Sequence, residues 1–316
     1  MVLESNAPLV VFVYNRAEHT KKLLASVNSA KGADCTDLYI FSDGAKSSES
    51  EKDVAEVRNV INNFIENESR FKKIELIRST ENCGLANSII NGVTKIIKQY
   101  GKIIVLEDDL EVSVDFLEYM NGGLNYYKDN QSIWSISGYT LPLKSLENYR
   151  HDIYVALRGC SWGWATWLDR WEKVDWEVKN YNTIKFNLKK RLDFGRWGRD
   201  MPFMLDANVY GMNHSWAIRW CYSSFQYKQY TVYPKESRVI NKGTDGSGTN
   251  YTSTTDRYDS VLSDGSKKVK FESVMPDKQI EKEFRWKMKR KLGFIRDCAK
   301  WFVIKATKKE SMISEP

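Results

Sequence analysis

The sequence predicts an α/β fold in which a mostly parallel sheet carries helices on both faces. Three observations support this prediction: short β-branched runs alternate with segments of helical periodicity, four such runs precede residue 107, and polar residues follow where the runs end. Alternating strands and helices imply right-handed crossovers and a parallel sheet covered on both sides. Ligands of such sheets bind beyond the carboxyl ends of the strands, so the polar residues there are the first candidates for a site.

Strand and helix signals can be assigned in chain order through the first half. Short apolar runs indicate buried strands, and apolar residues three or four positions apart indicate helices that bury one face. The predicted strands are Leu9–Tyr14, Leu38–Ser42, Lys73–Arg78 and Lys102–Leu106. The predicted helices are Ala17–Ala30, Ser50–Glu66, Leu85–Tyr100 and Asp115–Lys128.

The second half has a different composition, because all eleven tryptophans lie at or after Trp134. We therefore predict a boundary near residue 130 between two halves of one compact unit, 1–130 and 131–260, followed by a tail over 270–316. Asn241–Asp256 is rich in glycine, serine, threonine and asparagine, a composition typical of a mobile loop.

Composition and cysteine usage bound the class of protein. The chain has 316 residues, of which 42% are hydrophobic and 28% charged, an ordinary balance for a globular enzyme. The five cysteines show neither a C-x-x-C pair nor zinc-ligand spacing, so reduced thiols and a cytoplasmic location are expected. A signal peptide and an apolar stretch of about 20 residues are both missing, so neither secretion nor a membrane span is expected.

The sharpest motif is the run of three acids, Glu107, Asp108 and Asp109, at the end of the fourth predicted strand. Consecutive carboxylates repel one another, and a divalent cation would relieve that repulsion. Oxygen ligands suit a hard ion such as Mn²⁺ or Mg²⁺, which keeps open positions for diphosphate oxygens. The alternative is a solvated acidic turn, since acids near the N-terminus of the next helix are favourable anyway.

Polar residues also follow the other three predicted strands. Asn15 and Arg16 come after the first strand, Asp43 after the second, and Asn82 somewhat beyond the third. Asp43 could accept hydrogen bonds from a nucleobase or a ribose, although a plain turn residue is the simpler interpretation. Because the carboxyl ends of parallel strands share one edge, we expect these residues to lie near the three acids.

Three segments of the second half could complete a site. Arg158–Trp167 combines glycines with tryptophans, whose faces suit sugar rings or form a buried core. His214, just before a predicted helix, could act as a general base, although a lone histidine is more often structural. Asn241–Thr249 has the glycines of a lid in which Lys242 and Asp245 could reach a diphosphate or an acceptor, with a surface loop as the alternative.

The net charge of +7 is concentrated near the C-terminus. Between Asp277 and Lys309 there are twelve lysines and arginines against four acids, interspersed with aromatic residues. This pattern predicts a C-terminal amphipathic helix on an anionic membrane surface. A solvated helix that docks on the body of the protein is the alternative.

Several motifs resemble those of known glycosyltransferases. Ile103–Tyr119, which contains the three acids, resembles the metal-binding segment of the N-acetylglucosaminyltransferases of Golgi N-glycan processing, and Ser132–Ser137 continues the likeness. Other segments are similar to the wider GT-A, family-2-like transferases and to bacterial polysaccharide glycosyltransferases. These segments are Val10–Arg16, Ser42–Gly44, Asn82–Gly84, Ser215–Trp220 and Asp245–Thr249.

The resemblance implies a GT-A fold in which 1–130 binds a UDP-sugar and 131–260 binds the acceptor. It implies that Asp109 binds Mn²⁺, that Asp108 and Glu107 contact the ribose and the donor sugar, and that Asp43 contacts the uridine. Such transferases invert the anomeric carbon, while a carboxylate base takes the proton of the acceptor and the metal stabilises the leaving diphosphate. The residues expected to bind the donor are thus Asn15, Arg16, Asp43, Asn82, Glu107 and Asp108.

The sequence departs from the family at the catalytic base. The family has an aspartate just before a tryptophan, whereas here His214 and Ser215 precede Trp216. The base could therefore be His214, Asp206 or Asp245. The expected reaction moves GlcNAc or another hexose onto a saccharide or lipid-linked oligosaccharide, in bacterial-type surface polysaccharide synthesis at the inner face of the cell membrane.

Two other classes of function remain open at this point. One is a retaining transferase or a nucleotidyltransferase on the same donor domain, although Val13–Arg16 lacks the glycine-rich basic loop of nucleotidyltransferases. The other is a non-catalytic module that binds carbohydrate or nucleic acid. RNA-binding sheets carry stacking aromatics among basic residues, whereas the strands predicted here are aliphatic, so no nucleic-acid partner is expected.

Overall fold

The computed structural model of the protein describes residues 5–243 and 257–288. The strands in these ranges are β1 Leu9–Val13, β2 Asp37–Ser42, β3 Lys73–Arg78, β4 Lys102–Glu107, β5 Leu110–Val112, β6 Ile133–Ser137, β7 Ile153–Ala156, β8 Trp164–Trp167, β9 Tyr230–Pro234 and β10 Val239–Asn241. The α-helices are α1 Ala17–Asn28, α2 Ser48–Asn63, α3 Leu85–Tyr100, α4 Phe116–Tyr126, α5 Leu168–Trp171, α6 Asn182–Lys185, α7 Leu188–Phe194, α8 Met201–Val209, α9 Trp216–Gln226 and α10 Lys278–Lys287.

Eight strands form one sheet in the order β3-β2-β1-β4-β8-β6-β9-β7. The first four are mutually parallel, and β6 and β9 share their direction, whereas β8 and β7 run against their neighbours. The predicted mixed α/β architecture with a mostly parallel sheet is therefore confirmed. Strands from both sides of residue 130 belong to this sheet, because β8 pairs with β4.

Helices cover both faces of the sheet, as predicted. Alternate residues of each strand point to opposite faces. Leu9, Val11 and Val13 of β1 belong to one buried cluster with residues of α1, α2, α4 and α10. Val10 and Phe12 pack on the other face with α3, α5 and α9.

The predicted elements of the first half match the observed ones to within about three residues, because each is defined by local periodicity. The helix α2 begins earlier than predicted, since Ser47 and Ser50 form a capping box around its first turn. The helix α3 ends at Gly101, which adopts the left-handed conformation at φ 73°.

Helices α6–α8 form a small unit beside α9 with a core of its own. This core contains Tyr181, Ile184, Phe194 and Leu205, packed on Ile218 and Tyr222 of α9. The unit extends the second half beyond the sheet.

The helix α10 docks on the body of the protein. Ile280 and Phe284 are buried, and the Phe284 ring meets those of Trp197 and Tyr233 edge-on at centroid distances of 5.5 and 5.7 Å. The rest of the predicted amphipathic tail, 289–316, lies outside the described residues. Within the described ranges, no helix is long and apolar enough to cross a bilayer.

Candidate active site at the carboxyl end of the parallel strands

The three acids lie where the central strands end. Glu107 is the last residue of β4 and pairs in register with Phe12 of β1. Asp108 and Asp109 form the turn into β5. Because β1 is parallel to β4, Asn15 and Arg16 leave the sheet at the same edge, and Asn15 is half-exposed there.

Arg16 binds two of the three carboxylates. Its guanidinium contacts both oxygens of Asp108, with Nε 3.3 Å from Oδ2, and its Nη2 donates to Asp109 Oδ2 at 3.0 Å. The buried Nη1 finds no hydrogen-bond partner among the described residues. One arginine thus compensates part of the charge of three consecutive acids.

Burial and mutual repulsion shift the acids of this group. Burial raises the pKa of Glu107 well above its ordinary value, and the charges of Asp109 and Asp108 raise it further against the opposing effect of Arg16. Burial also raises the pKa of Asp108, although the contacts with Arg16 oppose this shift. The pKa of Arg16 is raised in turn, because the two aspartates outweigh the effect of its burial. Within the described part of the chain, Arg16 is hydrogen-bonded to two of these three acids and the charge of His19 also acts on Asp108, a crowding of charges typical of sites that bind a cation or change protonation.

Asp43 and Asn82 join two strand ends into one loop structure. Asp43 Oδ1 accepts the Cys83 amide at 2.9 Å and its Oδ2 accepts that of Gly84 at 3.1 Å, while Asn82 Nδ2 donates to the Gly44 carbonyl at 2.8 Å. Gly44 is required here, because an added Cβ would lie 2.5 Å from the carbonyl carbon of Glu81. The structure therefore brings Asp43 and Asn82 together, with both Asp43 oxygens already bonded to backbone.

Sequence reasoning missed Arg58, which fixes the same loop from beneath. Its Nη2 donates to the carbonyl oxygens of Ser79, at 2.7 Å, and Asp43, at 3.3 Å, and its Nε donates to Ser42 Oγ at 3.1 Å. Arg58 is half-buried on α2. In the sequence it looks like any other polar residue of an amphipathic helix. Only the meeting of β2 and β3 gives it this positioning role.

The start of the predicted lid lies on Asp109. The strand β10 pairs antiparallel with β5, and the Lys242 amide donates to the Asp109 carbonyl oxygen at 2.7 Å. Gly243 packs directly against the Asp109 side chain, since a Cβ added to Gly243 would lie 2.9 Å from Asp109 Cγ. Asp245 lies outside the described residues.

A second residue that sequence reasoning missed is Arg238, which supports the pairing of β5 with β10. It is 2% exposed, its Nε is 3.2 Å from Asp115 Oδ2, and its carbonyl accepts the Ser113 amide. The ion pair joins the strand before Lys242 to the N-terminus of α4. A lone arginine between Ser237 and Val239 gives no sequence signal for such a partner.

One tryptophan of Arg158–Trp167 flanks the site, while most others are core. Trp164 is 1% exposed and packs against Trp171, Trp216 and Trp220. The half-buried Trp162 instead meets Tyr139 edge-on at 4.6 Å between ring centroids and Tyr258 at 5.7 Å. The adjacent Gly163, at φ 66°, leaves space for only a hydrogen, since an added Cβ would lie 2.6 Å from Val239 Cγ2. The same position is 3.2 Å from Cδ2 of Leu106, the residue before Glu107.

The structure separates two candidates for the general base. His214 is exposed just before α9, whose first residue Trp216 packs on Trp164 at the β8 end next to the acids. Asp206 is 4% exposed, and its oxygens accept from Tyr181 Oη at 2.8 Å and from Arg191 at 2.9 and 2.6 Å. Asp206 thus has the geometry of a structural ion pair inside the α6–α8 unit.

The described residues suit a divalent ion that is held by a single carboxylate. In residues 5–243 and 257–288, no group of three or more His, Cys, Asp or Glu side chains is arranged to hold a metal ion. Asp109 is 19% exposed, and only its Oδ2 is bonded to Arg16. Ions such as Mg²⁺ bind through one or two carboxylates plus substrate phosphates, and Asp109 suits that form of attachment.

Comparisons with known proteins add little to this description. No protein-family model matches the chain, and no curated protein matches it. Among solved structures, mouse xyloside xylosyltransferase 1 in its apo form aligns with 69% of this chain and 80% of that chain, at 13% identity and a TM-score of 0.34. A similarity this low carries no argument about fold family or function.

Proposed function

We propose that the chain is a GT-A glycosyltransferase that moves a sugar from a UDP-sugar to a saccharide acceptor, free or lipid-linked, with inversion. The observation that supports it is the joint position of Asp109, Arg16 and the Asp43 loop at one edge of the parallel sheet. The ends of β2 and β4 are separated by two strand spacings, roughly 10 Å, a span that a nucleoside diphosphate covers. The nucleoside would lie toward Asp43 and the diphosphate toward Asp109.

Asp109 would hold Mn²⁺ or Mg²⁺, and the bound ion would neutralise charge on the leaving diphosphate. Arg16 keeps Asp108 and Asp109 in place through its three hydrogen bonds.

The reaction proposed here is a single displacement. An acceptor hydroxyl attacks the anomeric carbon while the bond from that carbon to the diphosphate oxygen breaks, and UDP leaves with the electron pair. The hydroxyl proton passes to a base on the protein, for which His214 is the first candidate because it is exposed and precedes α9, whose Trp216 packs on Trp164. Trp162 offers an aromatic face for the acceptor sugar.

A ligand screen by thermal shift tests this proposal. A ligand that binds only the native state raises the melting temperature, so UDP-sugars with Mn²⁺ should raise it by several degrees. UDP without the ion should raise it less, and ATP or CMP-sugars should leave it unchanged. NMR of the product should show the anomeric configuration inverted, and the absence of any UDP-dependent shift would refute the donor assignment.

A further inference from the structure

The segment that joins α6 to α7 exposes large apolar side chains. Phe186, Leu188 and Leu192 are 74%, 70% and 54% exposed. Leu188 and Leu192 are four residues apart on α7 and therefore share one face, with Phe186 just before the helix. We call these three residues the α7 patch.

The α7 patch does not contribute to the core beneath it. Ile184 and Phe194 from the same segment are 1% and 2% exposed, and the Phe194 ring contacts those of Tyr222 and Phe225 at centroid distances of 5.5 and 5.0 Å. The segment is thus anchored by one set of apolar residues and displays another. Contiguous apolar patches on a protein surface usually mark an interaction site.

Positive charge surrounds the α7 patch. Residues 185–199 contain six lysines and arginines against one acid, Asp193. Lys189 and Lys190 are exposed next to Leu188, whereas Arg191 and Arg196 are paired with Asp206 and Glu281. Apolar side chains flanked by lysines are the pattern of protein surfaces that lie on anionic lipid.

We infer that the α7 patch docks on an anionic membrane surface. Its charge complements acidic lipid headgroups, and its three apolar side chains reach the level of the acyl chains. The turn that follows α7 contacts α10, because Arg196 lies with its Nη2 2.6 Å from Glu281 Oε2 and Trp197 packs on Phe284. In sequence, the basic stretch from Arg285 to Lys291 starts within α10. The proposed membrane contact of the α7 patch lies in the body of the protein, and it does not depend on the proposed sugar transfer.

Vesicle sedimentation with the full chain tests the inference. The variant Phe186→Ser/Leu188→Ser/Leu192→Ser should bind vesicles of phosphatidylcholine and phosphatidylglycerol at least about tenfold more weakly than the wild type. Val261→Ser/Met275→Ser is the matched control, because these residues are 90% and 82% exposed elsewhere, and it should bind like the wild type. Hydrogen exchange should show amides of 186–194 protected by vesicles in the wild type.

A second variant covers the case in which the triple variant folds poorly. Lys189→Glu/Lys190→Glu should weaken binding to the anionic vesicles and leave the weak binding to pure phosphatidylcholine unchanged. Wild-type binding by both variants would overturn the inference and assign all lipid binding to the tail. A triple variant that changes only the oligomeric state would overturn it in favour of a second copy of the chain. The UDP-sugar thermal shift, measured without lipid, stays independent of these outcomes.

Discussion

Two clusters of arginine and aspartate in this molecule use the same groups in opposite ways. In the α6–α8 unit, Arg191 faces one aspartate, Asp206, whose oxygens are fully engaged by two guanidinium nitrogens and a tyrosine hydroxyl. At the sheet edge, Arg16 faces Asp108 and Asp109, with Glu107 adjacent and the arginine Nη1 unsatisfied by the described residues. In the first cluster the charges match and every group has a partner. Among the described residues, the second cluster has one arginine for three acids and a buried guanidinium nitrogen without a partner.

The difference separates a structural ion pair from a candidate site. A buried pair whose members satisfy each other gains nothing from a ligand, and its loss is felt in stability. A cluster with uncompensated charge is less stable than it would be with a cation bound, so ligand binding relieves repulsion that folding left in place. The Arg158–Asp200 pair, with contacts of 2.8 and 2.9 Å, belongs to the balanced kind.

The largest expected effect is on turnover at the sheet edge. Asp109→Ala should lower kcat by at least about 10³-fold, because it removes the proposed metal ligand, while the melting temperature changes little. Steady-state kinetics with a UDP-sugar and Mn²⁺ measure this, with Asp129→Ala on the surface as the control. An Asp109→Ala enzyme of undiminished activity would end the metal-site proposal.

The balanced pair should respond in stability and not in catalysis. Asp206→Asn leaves Arg191 without its counter-charge and should lower the free energy of unfolding by about 3 kcal/mol. Urea denaturation measures the loss, and the exposed Asp193→Asn on α7 should change it by less than about 0.5 kcal/mol. If instead kcat fell about 100-fold with stability unchanged, Asp206 would be the base after all.

Removal of the shared arginine should expose the repulsion among the acids. Arg16→Met should lower the free energy of unfolding by about 2 kcal/mol at pH 7. The raised pKa of Glu107 and Asp108 means that folding favours their protonated forms, so the deficit should shrink as the pH falls through these raised pKa values. Added Mn²⁺ should raise the melting temperature of this variant more than that of the wild type. A deficit that is equal at every pH, or one matched by the exposed Arg70→Met, would contradict this account.

Local patterns in the sequence were enough to predict much of the first half. The periodicity of residues such as Ile89, Val93 and Ile96 defines α3 because a helix that buries one face repeats every three or four residues. The position of Glu107–Asp109 followed from the rule that parallel strands end at a common edge. Each of these predictions needed only neighbours in the chain.

What the sequence could not predict depends on contacts between distant residues. The insertion of β8 between β4 and β6 pairs Trp164 with Val105, and nothing local specifies that antiparallel partner. The pairing of Arg16 with Asp108 spans 92 residues. Asp206 was one of three candidate bases in the sequence, and its partner Arg191 is recognisable only in the folded chain. The exposure of Phe186 could not be predicted for the same reason, since a large apolar residue is expected in the core until the folded chain shows otherwise.

The smallest expected effect concerns a carboxylate of a third kind, which accepts hydrogen bonds from backbone amides and has no arginine partner among the ion pairs of the described residues. Glu283 of α10 accepts the amides of Lys144 and Ser145, each at 2.8 Å. Partial burial favours the protonated form, but these hydrogen bonds and the charge of Lys287 outweigh it and lower the pKa of Glu283. A lowered pKa means that the stabilisation is complete above the ordinary glutamate value and is lost as the pH falls through the lowered one.

Glu283→Gln should therefore lower the free energy of unfolding by about 1 kcal/mol at pH 7, and the difference from the wild type should vanish in acid. Urea denaturation across this pH range measures it, with the exposed Glu147→Gln as the control. A loss that persists in acid would mean that the effect does not come from the charge of Glu283, and no loss at pH 7 would mean that α10 docks through Ile280 and Phe284 without help from the carboxylate.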